Sequence, residues 1–207
     1  MCFHFQFATT NYSNARPDMT SIEAEIAAHS ALVQKLQPLL PTIEQACSIA
    51  LRTLQSGNRL FFIGNGGSAA DAQHLAAELV GRFRKERNAL PAIALTTDTS
   101  ILTAVANDYG FEHIFDRQIK ALAKPGDLLI AISTSGNSPN VLQALQTART
   151  THLQTIGLSG KDGGKMKDHC DVCLVIPSDD TARIQEMHIL IGHILCSYIE
   201  THVDSIA

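Results

Sequence analysis

Short apolar runs alternate with longer amphipathic segments through most of the chain after residue 58. The runs occupy residues 59–63, 92–96, 128–132, 154–158 and 172–176. Near-continuous apolar runs are typical of strands buried on both faces, and helical segments between them imply right-handed crossovers in a parallel sheet. The pattern therefore predicts the α/β class, with a doubly wound, five-stranded parallel sheet and flanking helices.

Two further helices are predicted ahead of the first strand. Apolar residues recur at helical spacing at Ile22, Ile26, Leu32, Val33 and Leu36. Pro38 and Pro41 separate this helix from a second one that ends near Gly57. Residues 1–18 show no periodicity, and we interpret them as a disordered tail or a non-native start. The length of 207 residues suits a single domain over residues 19–207.

The charge balance argues against nucleic acid as a partner. The chain has 16 Lys and Arg residues against 20 Asp and Glu residues, a net charge of -4, whereas nucleic-acid-binding domains normally have an excess of basic residues. No stretch approaches the roughly 20 apolar residues of a membrane span, and the N-terminus lacks the regions of a signal peptide. We therefore expect a cytoplasmic protein with no nucleic-acid or membrane partner.

The cysteines indicate the same compartment. They are odd in number and scattered, which fits free thiols in a reducing environment better than a disulfide framework. Cys170 and Cys173 form a CxxC motif, but a zinc ribbon needs a second pair and a thioredoxin-like site needs the motif at the start of a helix. Because this motif runs into an apolar strand, we interpret the two as ordinary thiols beside a strand.

A glycine-rich loop follows the first predicted strand. Residues 64–68 read GNGGS and precede a helix predicted to extend to about Phe83. Glycines allow backbone N–H groups to approach an anion, and a helix N-terminus adds its dipole. The string also fits the loose GxGxxA dinucleotide pattern, but Asp98 lies too far along the chain for the acidic ribose-binding position. Anion binding is therefore favoured over dinucleotide binding.

A loop rich in hydroxyl groups follows the third predicted strand. Residues 133–139 read STSGNSP, in which Ser138 suits a helix N-cap and Pro139 the first helical position. Capping alone does not require four hydroxyl groups. Such a run at a helix N-terminus forms a phosphate cradle without permanent charge, suited to a phosphomonoester that must dissociate again. The chain has no GxxxxGK[ST] motif, which disfavours a P-loop NTPase.

Two predicted helices carry candidate metal ligands. His74, Glu78 and Arg82 share one helix face at successive spacings of four. The first two either bind a divalent metal or form a plain helical pair, and Arg82 either neutralises a substrate phosphate or forms an ion pair with Glu78. On the last helix, Gln185 and His193 are separated by ~12 Å along the axis. One metal binds both only if the helix is irregular or if one of them comes from another subunit.

Several motifs together resemble those of one enzyme family. GNGGSAADAQHLAAEL, ANDYGF, GDLLIAISTSGNSPNV, LSGKDGG and TARIQEMHILIGH occur in this order between residues 22 and 200. They are similar to the phosphoheptose isomerases, which are sedoheptulose 7-phosphate isomerases built on the flavodoxin-like SIS domain. The resemblance implies a sugar-phosphate substrate, a homotetramer with active sites at subunit interfaces, and one divalent ion per subunit, usually Zn²⁺. It also implies the first step of ADP-heptose synthesis for lipopolysaccharide.

Carried over by position, the resemblance assigns roles to individual residues. The metal ligands would be His74, Glu78, Gln185 and His193. The substrate-binding residues would be Asn65, Gly66, Gly67, Asn107, Asp108, Ser133, Thr134, Ser135 and Ser138. The catalytic pair would be Glu78 and His193.

These residue types suit an aldose–ketose isomerisation. Moving the carbonyl of sedoheptulose 7-phosphate from C2 to C1 requires removal of a proton next to the carbonyl, stabilisation of a cis-enediol, and return of the proton to the neighbouring carbon. Glu78 is the candidate base and His193 the candidate acid. Because a zinc-bound carboxylate is a weaker base, either Glu78 moves when substrate arrives or the metal mainly orients and polarises the substrate oxygens.

Two other functions compete with this one. Initiator-associating proteins bind the replication initiator and share the domain, the length and the RIQEMH segment, but they lack the acid–base pair that Glu78 and His193 form here. Sugar-phosphate-sensing SIS modules usually carry a DNA-binding domain, for which there is no room before Asn58. His188 lies outside the family's ligand pattern, and we expect it to pack or to support a ligand.

Overall fold

The fold is a five-stranded parallel sheet with helices on both faces, as the apolar runs predict. A computed structural model describes residues 21–202. The strands are β1 (Leu60–Gly64), β2 (Ala92–Ala94), β3 (Leu128–Ser133), β4 (Gln154–Gly160) and β5 (Val172–Ile176). Their order across the sheet is β2-β1-β3-β4-β5, and every adjacent pair is parallel. The tail or non-native start predicted for residues 1–18 lies outside the described residues.

Seven α-helices are present in the described part of the chain. They are α1 (Ile22–Gln34), α2 (Leu40–Gln55), α3 (Gly67–Val80), α4 (Thr99–Tyr109), α5 (Asp116–Leu122), α6 (Pro139–Thr150) and α7 (Thr181–Thr201). Both α1 and α2 precede β1, in agreement with the helical spacing near the start of the sequence. Over residues 21–202 no helix has the length and apolar character needed to cross a bilayer.

Two apolar layers enclose the sheet. On one face, α2, α3 and α7 pack against alternate strand residues such as Phe62 and Ile130. On the other face, α5 and α6 cover Phe61 and Leu129. Because successive residues of a strand point to opposite faces, a near-continuous apolar run supplies side chains to both layers.

The second strand is shorter than its apolar run predicts. It ends at Ala94 rather than Thr96 and lies at the edge of the sheet. The hydroxyl groups of Thr96 and Thr97 donate to the carbonyls of Ala69 and Ala94, and side-chain bonds of this kind compete with strand pairing. The chain therefore turns toward α4 directly after β2.

The cysteines in residues 21–202 are free thiols. Cys47 and Cys196 are buried in the core, whereas Cys170 and Cys173 are half-buried next to the start of β5. Within the described residues, neither Cys170 nor Cys173 belongs to a group of side chains that could hold a metal. The CxxC motif thus agrees with the interpretation of ordinary thiols beside a strand.

Candidate active site

The candidate site lies where the helices after two adjacent strands diverge. α3 follows β1 and packs on one face of the sheet, whereas α6 follows the neighbouring β3 and packs on the other face. Parallel sheets open a ligand-binding crevice at such a point, beyond the carboxyl ends of the strands. The glycine-rich loop and the hydroxyl-rich loop, residues 64–68 and 133–139, both border this crevice.

A pair of amides joins the two loops. Asn65 Nδ2 donates to Asn140 Oδ1, and Asn140 Nδ2 donates to Asn65 Oδ1, both at 2.8 Å. Asn140 is only 2% exposed, so its amide would be costly to bury without this partner. Asn65 is a predicted substrate-binding residue, whereas no motif pointed to Asn140. The pair sets the spacing of the two loops.

The glycine-rich loop leads directly into α3. A Cβ at Gly64 would lie 2.6 Å from the Ser68 carbonyl oxygen, and Gly66 has a φ of +54°, so both positions require glycine. Gly66 and Gly67 are exposed, and no side chain caps α3. The N–H groups of Ser68 and Ala69 donate to the carbonyls of Asn65 and Gly66 at 3.0 Å each, so an anion at the carboxyl end of β1 would meet the exposed glycine backbone at the start of the helix and its dipole.

The hydroxyl-rich loop directs its side chains toward one another at the start of α6. Ser138 occupies the N-cap position, but its side chain forms no capping hydrogen bond. Instead, the hydroxyl groups of Ser133 and Ser138 lie 3.0 Å apart, and Ser135 Oγ accepts from the Asn137 N–H at 3.2 Å. Thr134 is half-buried in the same turn. Because the Ser138 side chain does not cap the helix, its hydroxyl group is available for other hydrogen bonds at the N-terminus of α6.

The loop after β4 supports the hydroxyl-rich loop. The Lys165 N–H donates to Asn137 Oδ1 at 3.1 Å. Gly164 has a φ of +54°, and a Cβ at this position would lie 2.6 Å from the Ser135 carbonyl oxygen. The hydroxyl groups are thus held from behind by a second loop that only glycine allows to approach so closely.

Three of the predicted metal ligands meet between α3 and α7. His74 Nε2 lies 3.1 Å from Glu78 Oε1 and 3.1 Å from His193 Nε2. One ligand atom from each of the three lies within 4.8 Å of the others, and no other group of this kind occurs in residues 21–202. Two imidazole nitrogens beside a carboxylate oxygen are a donor set that suits zinc. We refer to these three residues as the His–Glu–His cluster.

A close contact between two helices brings His193 to its partners. α3 and α7 meet where Leu75 packs on Gly192, and a Cβ at Gly192 would lie 2.5 Å from Leu75 Cδ2. His193, which follows Gly192 on α7, therefore lies opposite His74, which precedes Leu75 on α3. The centroids of the two imidazole rings are 5.0 Å apart. A larger residue at position 192 would require the Leu75 side chain to move or the two helices to separate.

Gln185 lies at another part of the same helix contact. A Cβ at Gly67 would lie 2.6 Å from Gln185 Nε2, so this amide packs against the start of α3. α7 is continuous from Thr181 to Thr201, and the irregularity that would bring Gln185 and His193 to one metal is not present. A ligand from another subunit is the route that stays open.

One acidic residue near the cluster was not predicted. Asp71 Oδ2 is buried and has no hydrogen-bond partner in the described part of the chain. Burial raises the pKa of Asp71 above its ordinary value, and the imidazoles of His74 and His193 partly offset this rise. The available signal was its position one turn before His74 on α3. Asp71 is thus close enough for His74 and His193 to affect its ionisation, but it is not one of the three residues whose ligand atoms lie within 4.8 Å of one another.

Two predicted substrate-binding residues are on the surface. Asn107 and Asp108 are exposed at the end of α4, where Asn107 Nδ2 donates to Asp108 Oδ1 at 2.8 Å. No hydrogen bond or ion pair within residues 21–202 joins them to the crevice loops or the cluster. They belong to the site only if another subunit completes it.

The ion pair considered for Arg82 and Glu78 is wrong. Arg82 Nε instead lies 3.7 Å from Glu86 Oε2, and both side chains are largely exposed. The helix ends at Val80 rather than near Phe83, so Arg82 is no longer one helical turn beyond Glu78. The chain changes direction at Gly81, the residue that follows the helix.

His188 is a core residue rather than a ligand. It is completely buried, and its Nε2 lies 3.0 Å from the Ser159 carbonyl oxygen. Burial lowers the pKa of His188 to about 4, so the imidazole is neutral near pH 7. This agrees with the expectation that His188 packs inside the fold.

Comparison with protein families assigns this fold and crevice to a class. The family model of the SIS domain matches residues 26–160, which include β1, β3, α3 and both crevice loops. The chain therefore belongs to the SIS-domain family, and the predicted family and fold are confirmed.

Individual relatives narrow this class to the phosphoheptose isomerases. The phosphoheptose isomerase of Aliarcobacter butzleri is 56% identical over 185 residues, which are 89% of this chain and 98% of its own. The structure of the phosphoheptose isomerase from Neisseria gonorrhoeae is 44% identical with a TM-score of 0.83, and covers 87% of this chain and 97% of its own. The structure from Francisella tularensis is 39% identical with a TM-score of 0.82, and covers 88% and 100%.

Proposed function

We propose that this protein interconverts sedoheptulose 7-phosphate and D-glycero-D-manno-heptose 7-phosphate. The observation that carries the proposal is the convergence of Glu78 and His193 from two different helices into one cluster with ligand atoms within 4.8 Å. A carboxylate and an imidazole at this separation can exchange protons with adjacent carbon and oxygen atoms of one substrate. The relatives that are named for a phosphoheptose isomerase support the same conclusion.

The reaction needs two proton transfers at carbon and two at oxygen. The Glu78 carboxylate takes a proton from C1, the C–H electron pair forms the C1=C2 bond, and the C2 oxygen gains a proton from His193. The resulting cis-enediol then returns the O1 proton to His193, the C1 carbonyl forms, and Glu78 delivers its proton to C2. Both side chains end in their starting forms, so no other reactant is consumed.

The two crevice loops hold the rest of the substrate. The phosphate is bound by hydroxyl and N–H groups at the start of α6, and the glycine-rich loop binds the sugar. The residues assigned to the phosphate are Ser133, Thr134, Ser135 and Ser138, and those assigned to the sugar are Asn65, Gly66, Gly67, Asn107 and Asp108. A cradle without a permanent positive charge suits a monoester that must be released after each turnover.

We infer that the His–Glu–His cluster holds one Zn²⁺ per subunit, with Gln185 of a neighbouring subunit as a further ligand. The donor set supports this, as does the buried and unpartnered carboxyl oxygen of Asp71 next to it. When bound, the ion polarises the oxygens on C1 and C2. Because a metal-bound carboxylate would be a weaker base, Glu78 would transfer the proton while it is not a ligand, or the ion would serve chiefly to orient the oxygens.

We infer a homotetramer with active sites between subunits. Ile194, beside the cluster, is 38% exposed, and Ile22 and Ile26 of α1 are 80% and 63% exposed. Apolar side chains at the surface of one chain are typical of a subunit interface when they are contiguous. A neighbouring subunit would also bring Asn107 and Asp108 to a crevice. Sedimentation equilibrium of the purified protein tests this inference, and a monomeric mass would overturn it.

We place the enzyme in the cytoplasm, at the first step of nucleotide-activated heptose synthesis. The aldoheptose phosphate that it makes serves lipopolysaccharide, a capsule or another glycoconjugate. The acidic net charge of -4 and the relatives' names support an intermediary-metabolism role over a nucleic-acid partner.

The non-enzymatic alternative, a protein that binds the replication initiator, is less well supported. Such proteins share the domain but lack the acid–base pair. In this chain both members of the pair are present and meet in space, which an initiator-binding role does not require.

The deciding experiment is incubation with sedoheptulose 7-phosphate, followed by NMR, with and without a chelator. An aldoheptose 7-phosphate that forms only without the chelator supports both the reaction and the metal. Product in both arms supports the isomerase and contradicts the metal. If a folded tetramer gives no product in either arm, the isomerase proposal fails, and capture of the replication initiator then tests the alternative.

A further inference from the structure

A buried carboxylate near the end of α7 anchors the chain that follows α3. Glu200 is 4% exposed, and it accepts hydrogen bonds from the N–H groups of Phe83 at 3.1 Å and Arg84 at 2.8 Å. These residues belong to the connection between α3 and β2, residues 81–91. A carboxylate that accepts two backbone N–H groups fixes the path of a segment that has no regular secondary structure.

A buried arginine ties the same connection to the end of α3. The Arg87 side chain is 3% exposed, and its Nε lies 3.7 Å from Glu200 Oε1. Its Nη2 donates to the Glu78 carbonyl at 2.6 Å, and its Nη1 donates to the Leu79 carbonyl at 2.7 Å. These are carbonyl groups of the last helical turn, which lack partners within the helix. Arg87 therefore holds the backbone of Glu78 itself. We call Glu200 and Arg87 the clamp.

The clamp sets the position of an aromatic ring on the catalytic histidine. The Phe83 ring stacks on the His193 imidazole with centroids 5.4 Å apart and planes at 20°. His193 also meets His74 edge-on, with centroids 5.0 Å apart. The imidazole thus contacts two rings, and one of these is fixed through its backbone by Glu200.

The two ends of this arrangement lie on one face of one helix. Glu200 follows His193 by seven residues on α7, and at 3.6 residues per turn the two side chains point in nearly the same direction, about 10 Å apart along the axis. Glu200 does not touch the reacting atoms in the proposed mechanism. It acts through Phe83, which makes it a positioning residue.

We infer that Glu200 positions His193 for the isomerisation by holding Phe83 against its ring. The inference rests on the proposed function, because it assigns the reason for the clamp to catalysis. Proton transfer is sensitive to small displacements of the acid or base, and a shift of ~1 Å can cost about a hundredfold in rate. Sugar binding depends on the crevice loops instead, so loss of the clamp should affect kcat and leave KM.

The chain contains a matched control for a purely structural role. Asp127 is completely buried, accepts from the N–H groups of Arg59 and Lys124 at 2.9 Å each, and lies 3.7 Å from Arg59 Nε. Its partners are of the same kinds as those of Glu200, namely backbone N–H groups and one guanidinium. Asp127 directly precedes the central strand β3, so it lies at the amino ends of the parallel strands, whereas the crevice lies beyond their carboxyl ends.

The experiment compares Glu200→Gln with Asp127→Asn in the protein as purified. Each variant keeps the side-chain volume and removes the charge. We measure kcat, KM and the melting temperature, together with the NMR signals of the His193 ring protons, which stacking on Phe83 shields. We expect Glu200→Gln to lower kcat about tenfold, to leave KM within about twofold, and to move the His193 signals downfield. Asp127→Asn should lower the melting temperature comparably without changing kcat or those signals.

Phe83→Leu is a second variant that leaves the carboxylate in place. It should lower kcat to the level of Glu200→Gln, and the double variant should lower kcat no further, because both changes remove the same support. If Glu200→Gln does not fold, the kcat and KM of Phe83→Leu test the inference instead. Unchanged kcat in Phe83→Leu, multiplicative losses in the double variant, or unmoved ring signals in Glu200→Gln would each overturn the inference. A wild-type protein without isomerase activity would refute the proposed function, whereas the ring signals still test the clamp.

Discussion

Asn65 and Asn140 exchange two hydrogen bonds across the crevice, so that each amide is donor and acceptor to the other at 2.8 Å. Asn65 follows β1 and Asn140 lies in the first turn of α6. The pair therefore connects the two loops whose helices leave on opposite faces of the sheet. It is the direct link between the sugar-binding and the phosphate-binding parts of the proposed site.

Asn140→Asp should weaken substrate binding. An aspartate can accept from Asn65 Nδ2 but cannot donate to Asn65 Oδ1, so one hydrogen bond becomes an unfavourable contact between two oxygens. We expect KM to rise about tenfold and the free energy of unfolding to fall by about 1–3 kcal/mol. Steady-state kinetics and urea unfolding measure both. Thr147→Val, at a buried position on the same helix, is the control and should leave KM unchanged.

Glu78→Gln and His193→Gln should each abolish turnover while the fold stays intact. Removal of a positioned general acid or base typically lowers the reaction rate by about 10²–10⁴-fold. Product formation measures the loss, circular dichroism checks the fold, and zinc content is measured in parallel to separate proton transfer from metal binding. Glu86→Gln, on an exposed side chain nearby, should behave as wild type. Full activity in either catalytic variant would contradict the assignment.

Gly164→Ala should disturb the phosphate loop. A Cβ there would lie 2.6 Å from the Ser135 carbonyl oxygen, and the only relief is movement of one loop away from the other. We expect KM for the sugar phosphate to rise about tenfold or more, by analogy with other small displacements of binding groups. Gly57→Ala is the matched control, since Gly57 also has a positive φ of +73° but no atom within 4 Å of the added carbon. It should cost only stability, about 1 kcal/mol.

Stability should depend on pH through His188. Its pKa is lowered from 6.5 to about 4 by burial. Between these values the unfolded chain binds a proton that the folded chain does not, so the free energy of unfolding falls as pH is lowered from 6.5 to 4, by up to ~3 kcal/mol. Urea unfolding of wild type and His188→Gln over this range measures the difference. Equal pH slopes in the two proteins would contradict the prediction.

The sheet could be predicted from sequence because its strands are short apolar runs between turn residues. All five runs match a strand to within two residues at each end, and only β2 ends before its run does, where the hydroxyl groups of Thr96 and Thr97 bond to backbone carbonyls. The crevice loops were equally visible, since glycine and hydroxyl residues after a strand have few other uses. These are local signals.

The parts of the site that depend on helix packing could not be predicted in this way. Spacing alone left His74 and His193 as candidates on separate helices, and only the family resemblance put them in one ligand set; the structure brings them together where Leu75 packs on Gly192. Glu200 looked like an ordinary charge near the chain end, because its backbone partners lie more than a hundred residues away in sequence. The spacing of residues along one helix does not indicate which residues of another helix they will contact.

The crevice loops contain no side chain that ionises. Residues 64–68 and 133–139 carry amides, hydroxyl groups and glycines, with one proline, and the Asn65–Asn140 bridge is neutral on both sides. The binding platform therefore keeps the same charge and the same hydrogen bonds from mildly acidic to mildly alkaline solution. A change with pH in the part of the affinity that these two loops supply would then come from the ligand's own phosphate, whose second ionisation lies near pH ~6, whereas changes in the rate of turnover would come from the cluster. Measuring the pH dependence of substrate affinity and of turnover rate separately therefore distinguishes ionisation of the sugar phosphate from ionisation of the enzyme.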